Sequence, residues 1–315
     1  VYGVAGVAVT LATDLWTVLV LRAVQGSVGG SILASLTLAL VGDYYDSPRR
    51  NAVMGVVSAG ISFSAAAGPV LGGVLAARSW DAPFYLYGAS VVVAGLVYRY
   101  LDAPATAAET GATDRDGSYL RAAVASLPAR RALVVYGATL AGFVLFFGGV
   151  LTAVPFLLGR TLSPVLVGVA LLATEGVSTV VAAGNGRLAR RLSSGSLVAL
   201  GFGCYGLGFV GAWAATAATG VAGALTVAGA GIGVLLPSID AAVSEGVSAE
   251  YRAGAFSLRN STTFLGRAAG PILFAGLADR PDIGYERLLL AAGVTAFGAA
   301  ALLVVLTCSG TDRGD

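Results

Sequence analysis

From Ala52 to Ala77 the sequence runs without a single charged residue, and a run of that length has the reach of a helix crossing hydrocarbon. Comparable spans are expected at 15–42, 83–101, 132–158, 164–185, 196–214, 218–243, 254–278 and 286–308, with an apolar stub at Val1–Ala12 that Thr13 and Asp14 bring to a stop. Lipid offers no partner to a backbone N–H or C=O, so a chain built this way must satisfy its hydrogen bonds inside each segment. The fold class that follows is all-α, a polytopic transmembrane helical bundle. Composition agrees: 57% of residues are hydrophobic and only 11% charged, with a mean hydropathy of +0.83, where a soluble domain carries about 25% charged residues.

Several function classes fall away on residue types alone. The chain has no His, and its 19 basic residues are all Arg. Histidine-ligated metals, Schiff-base lysines and Ser-His catalysis lose their groups, so no enzyme activity, no metal and no cofactor is expected. The arginines are scattered over short loops and assemble no face for nucleic acid. Cys204 and Cys308 both sit in apolar runs and read as small buried hydrophobes.

Within the Ala52–Ala77 run, Gly60, Ser64, Gly68 and Gly72 recur every fourth residue, on one helical face, and Pro69 removes one backbone hydrogen bond. Such a stripe lets two helices approach closely in lipid, where no hydrophobic force drives them together. Moved 202 positions along the chain, Ala66-Ala67-Gly68-Pro69 falls on Ala268-Ala269-Gly270-Pro271, and Leu75-Ala76 falls on Leu277-Ala278. Arg50 falls on Arg252, Asp43 on Glu245 and Gly29 on Gly231 in the same register. Internal duplication of this kind marks a carrier made of two related halves with a substrate site between them. The same register places the counterparts of the spans at 132–158 and 164–185 before residue 1. The intact protein is therefore expected to have twelve spans in two pseudo-symmetric halves of six, with the first two helices absent from this sequence.

The expected organisation is residues 1–101 as the remainder of the amino-terminal half, 102–131 as a linker, 132–308 as the carboxy-terminal half and 309–315 as a tail. Residues 102–117 have linker composition, and Tyr119, Leu120, Ala123, Val124 and Leu127 have the spacing of a short interfacial helix or belong to an unstructured connector. Most loop arginines, among them Arg49, Arg50, Arg99, Arg130, Arg131, Arg187, Arg190 and Arg191, fall on the linker side, whereas Arg78, Arg160, Arg280 and Arg287 fall on the other. This positive-inside bias predicts a multi-pass protein of the cell membrane with the linker and carboxy terminus cytoplasmic.

Leu21-Arg22-Ala23-Val24-Gln25-Gly26, the following Asp43, Pro48, Arg49 and Arg50, and Gly68-Pro69-Val70-Leu71-Gly72-Gly73 together resemble the major facilitator superfamily. Within it they are similar to the drug:proton antiporters, over the whole chain as helices three to twelve. The resemblance implies secondary active transport by alternating access, with protons, a small-molecule substrate and the lipid bilayer as partners. Proton-coupled export of an apolar or amphipathic compound is the first expectation. A metabolite or sugar carrier of the same fold, or a non-transporting sensor or remnant on that scaffold, stays open. Two departures bear on direction: Ser64 stands where a glycine is common, and Phe274-Ala275 replace Gly72-Gly73 in the second copy.

Charges inside hydrocarbon are costly unless paired or wetted, so they lead the site expectations. Arg22, Glu175 and Arg267 are the candidates for proton coupling; Arg22 also reads as a structural donor to its neighbours. Glu175 lies about eleven residues, roughly 16 Å of helix, from the outer end of its span, and Arg267 is the cation nearest to it in depth. Either the two pair and separate during transport, or they form a permanent structural pair, or Glu175 recognises a cationic substrate. Asp43, Arg49, Arg50, Asp240, Glu245 and Arg252 are expected at the cytoplasmic gate. Gln25, Ser27, Ser31, Tyr136, Phe143 and Phe147 are cavity candidates, with helix packing or lipid contact as their ordinary alternative. Gly60, Gly68, Pro69, Gly72 and Gly73 form the antiporter-motif packing face.

Overall fold

The computed structural model describes residues 1–27, 44, 47–100, 129–248 and 251–311, and among these every regular element is helical. Ser31, Asp43 and the proposed helix at 119–127 lie outside the described residues, as do the surroundings of the Arg50 side chain. The chain divides into two units, Val1–Thr113 and Asp114–Asp315.

In the first unit, α1 (Tyr2–Ala8) runs into one 3-10 turn, Val9–Leu11. Helix α2 (Leu15–Gln25) follows, started by Asp14, whose carboxylate accepts from the Thr17 backbone N–H at 2.8 Å and the Thr17 hydroxyl at 2.7 Å. Those bonds, the side-chain one foremost, hold the Asp14 carboxyl below its ordinary pKa, so the cap stays charged. Helix α3 (Ser47–Ala76) runs 30 residues straight through Pro69. The span expected over 83–101 has two parts, a 3-10 stretch at Ala82–Tyr87 and then α4 (Gly88–Tyr100). The physical reason lies in the rings. A 3-10 turn superposes residues three apart, and here it stacks Phe84 on Tyr87 with centroids 6.4 Å apart. Helix α1 packs on this turn, with Gly6 against the Tyr87 ring.

The second unit opens with α5 (Ala129–Leu145), so Arg130 and Arg131 begin a helix rather than end the linker. A π-helical stretch, Phe146–Ala153, and α6 (Val154–Leu158) complete that span. The Thr152 hydroxyl donates to the Phe147 carbonyl at 2.7 Å, five residues back, the reach of the wider turn. Four long helices follow: α7 (Pro164–Ala189), α8 (Ser194–Ala214), α9 (Ala218–Gly246) and α10 (Arg252–Ala278), and last α11 (Gly284–Thr311). Among the described residues, five segments are long and apolar enough to cross a membrane, Ala132–Leu158, Pro164–Ala189, Ser194–Ala214, Ala218–Gly246 and Gly284–Leu306. Helix α10, with 27 residues, is as long as these segments but carries Arg259, Asn260, Ser261, Thr262, Thr263 and Arg267 and is correspondingly less apolar.

Small residues decide how these helices meet. Helix α9 lies against α7 on one side and α8 on the other, and α8 also packs on α11. A Cβ at Gly229 would meet Thr174, one at Gly233 would meet the Ser178 carbonyl, and one at Gly231 would lie 2.8 Å from the Gly201 carbonyl. Helix α10 packs on α5 and its π-helical continuation. Within the wider turn, Gly148 and Gly149 take one ring each, Phe274 from α10 and Phe209 from α8. The buried core of this unit, including Phe202, Tyr205, Phe209, Leu235 and Leu289, is apolar almost throughout. Many outward residues are apolar as well, for example Val180, Leu302 and Val305, as expected where the solvent is lipid.

Candidate functional site

The polar groups of the first unit gather around Arg22. Its Nη1 donates to the Gln25 Oε1 at 2.8 Å and to the Tyr87 hydroxyl at 3.1 Å. Its guanidinium carbon lies 4.9 Å from the Phe84 ring centre and 5.5 Å from that of Tyr87. The arginine is thus a donor to side chains on the next turn of α2 and on the Ala82–Tyr87 stretch, which matches its structural reading. Gln25 is buried and spends its oxygen on Arg22, while its Nε2 has no partner among the described residues. Ser27, the other described cavity candidate of this helix, donates back to the Val24 carbonyl at 3.3 Å and is exposed. Gly60 and Gly68 are exposed, and a Cβ at Gly60, Gly68 or Gly72 would meet nothing within 4 Å among the described residues.

In the second unit two arginines of α10 lie near phenylalanines of α5 and of the π-helical stretch that continues it. Arg259 lies 6.0 Å from the Phe143 ring, and Arg267 lies 4.7 Å from the Phe147 ring and 5.7 Å from that of Phe264 on its own helix. The Phe143 and Phe147 rings are one helical turn apart, centroids 6.3 Å from each other. Arg259 forms an ion pair with Asp240, Nε to Oδ1 at 3.0 Å. The Nε–H points off the line to that oxygen and makes no aligned hydrogen bond, so the contact is charge attraction rather than a directed bond. Asp240 therefore answers to a helix arginine within its own unit. Glu245 accepts from the Ser194 hydroxyl at 2.9 Å, and Arg252 and Arg49 are exposed. Tyr136 reaches the Ala255 carbonyl at 3.4 Å and ties α5 to the start of α10.

Glu175 and Arg267 do not meet. Helix α7 packs on α9 and α10 on α5, and neither residue has an ion-pair or side-chain hydrogen-bond partner among the described residues. The Tyr205 hydroxyl, fully buried, also lacks a partner among the described residues. Thr263 is the other polar group that the residue pattern did not single out. It is buried and its hydroxyl has no partner, yet it stands four residues from both Arg259 and Arg267. That spacing was available in the sequence.

Chemically, this half offers Arg259 neutralised by Asp240, the Arg267 guanidinium near two rings, and the Glu175 carboxylate on a different helix, the last two without an ion-pair partner among the described residues. No group of three or more metal-ligating side chains occurs among the described residues.

Comparison with known proteins agrees with this architecture. Across 104 aligned residues the chain is 34% identical to the tetracenomycin C resistance and export protein of Streptomyces glaucescens, a match covering 30% of this chain and 19% of that protein. The chain thus spans well under two thirds of the length of the curated relative it matches. The fold is similar to the crystal structure of a bacterial homolog of the human lysosomal transporter Spinster, in an inward-facing and unoccupied conformation. That likeness has a TM-score of 0.63 at 16% identity and covers 98% of this chain and 79% of the other. Residues 1–271 match the Major Facilitator Superfamily, and with most of its length inside that match the chain belongs to this superfamily of membrane transporters, which are not enzymes.

Proposed function

We propose that the intact protein is a proton-coupled exporter of a small apolar or amphipathic compound, working by alternating access. The observation that carries the reading is Glu175, a carboxylate deep in a membrane span with no partner among the described residues. An isolated charge at that depth is costly, so gain and loss of its proton are tied to whether the site is dry or wet, and that is the quantity alternating access changes. The stretch similar to an export protein favours outward movement of substrate. Arg22, held by Gln25 and Tyr87, serves in this reading as a fixed cation rather than as the proton carrier. Because Arg267 has no acidic partner among the described residues, and Glu175 is not paired with it there, the coupling in this reading does not run through a Glu175–Arg267 pair in the conformation described.

The test uses the full-length protein in vesicles with an imposed proton gradient. Glu175→Gln mimics the protonated acid, so gradient-driven export should be lost while exchange of substrate across the membrane persists. Normal pH-dependent export by that variant would remove Glu175 from the mechanism. Ligand binding without flux in the unaltered protein would favour a sensor on the same scaffold.

A further inference from the structure

We propose that Arg267, Thr263 and the Phe147 and Phe264 rings form a recognition site for a planar group with a single negative charge, an aromatic carboxylate or phenolate. The inference rests on reading the protein as a small-molecule carrier and narrows its substrate class. The Arg267 guanidinium carbon lies 4.7 Å from the Phe147 ring centre and 5.7 Å from that of Phe264, so two rings hold it by cation–π contact. Its N–H groups are directed in the plane, and none of them has a hydrogen-bond acceptor among the described residues. A guanidinium held in that way presents its edge as a fork, the shape that a carboxylate fills with two parallel hydrogen bonds.

Arg259, on the same helix and over the equivalent ring one turn away, shows the contrast: its charge is met by Asp240 at 3.0 Å. Arg267 has no such anion among the described residues. One turn before it, the Thr263 hydroxyl is buried with no partner, although buried hydroxyls are ordinarily satisfied. A bound anion would provide the missing acceptor for both.

The internal repeat separates what the scaffold needs from what this face adds. In the 202-residue register Arg259, Thr263 and Arg267 fall on Val57, Ile61 and Ala65, which carry no donor at all. The Gly-Pro pair recurs in both copies, and the donors do not. The π-helical stretch contributes Phe147, whose backbone carbonyl accepts from the Thr152 hydroxyl at 2.7 Å.

Binding of 2-naphthoate to the full-length protein in nanodiscs, beside neutral 2-naphthylmethanol, tests the site. Naphthoate should bind about tenfold or more tightly than the alcohol, the ordinary yield of one charge-assisted contact out of water. Arg267→Gln should abolish that preference and leave the alcohol within about twofold, Arg267→Lys should keep part of it, and Thr263→Val should cost about threefold. Equal affinity for the two ligands in the unaltered protein, or full naphthoate preference in Arg267→Gln, overturns the proposal. Should Arg267→Gln fail to fold, Thr263→Val and Phe147→Leu decide, and unchanged naphthoate affinity in both overturns it as well. Flux separates this from the parent reading: export of neutral dyes without a naphthoate preference sinks the site alone, whereas naphthoate binding without export of any compound sinks the exporter and leaves the site.

Discussion

Gly68-Pro69 and Gly270-Pro271 stand in the same local sequence and in helices of nearly the same length, α3 with 30 residues and α10 with 27, yet their surroundings are opposite. At Gly270 a Cβ would fall 2.7 Å from the Val144 carbonyl and 2.8 Å from the Gly148 amide nitrogen, so α10 rests backbone to backbone on the span beginning with α5. At Gly68 it would meet nothing within 4 Å among the described residues. One position later in the stripe the copies part in sequence too. Phe274 fills the place that Gly72 leaves empty, and it fits because Gly148 on the facing helix has no side chain. A small-residue stripe therefore specifies the capacity for close approach, and only the facing helix turns that capacity into packing energy.

The comparison breaks first, and with the largest effect, at Gly270. Leucine there cannot be accommodated by a side-chain rotation because the obstacles are backbone atoms, so α10 must leave α5, at a cost of about 3 kcal/mol or more. Thermal melting of the detergent-solubilised chain, followed by ellipticity, should show a large fall in midpoint. An unchanged midpoint would mean that α10 is not seated on α5.

A smaller effect is expected at Gly148, where the nearest obstacle is a ring that can turn, with the Gly270 carbonyl oxygen 2.8 Å away. Gly148→Ala should destabilise by about 2 kcal/mol, since the methyl group lands on the Phe274 edge. Combining it with Phe274→Leu should recover part of that loss, a coupling of about 1 kcal/mol in a double-mutant cycle. Strict additivity would place the ring elsewhere.

Helix number and type in the second unit were legible in the sequence because length and hydropathy report on them directly: 164–185, 196–214, 218–243 and 254–278 fall within helices extending by only a few residues at either end. The 3-10 stretch before α4 and the π turn in the span after α5 were not, since both depend on rings from neighbouring turns or helices and not on periodicity. Arg259 shows the same limit for the site. Its pairing with Asp240 depends on how α9 and α10 are placed, which no spacing within the sequence reports. Arg267 was found by depth alone, but the partner assigned to it by depth, Glu175, sits on a helix that packs elsewhere. Sequence gives how far into the membrane a charge lies and says little about its azimuth.

The smallest effect sharpens the comparison most. Gly68→Leu is the same substitution as Gly270→Leu at the matching position of the repeat, but here the side chain enters open space. Leucine is also the better helix former, by roughly 0.5–1 kcal/mol at an exposed position, so the melting midpoint of the detergent-solubilised protein should hold or rise slightly. If the same face seats another helix during transport, Gly68→Leu should lower export while insertion into the membrane survives. A stable chain with impaired export is the paired result that identifies Gly68 as a contact surface used in function and not in folding. A midpoint that falls as far as that of Gly270→Leu would show that the α3 stripe is already packed, and the contrast between the two copies would be lost.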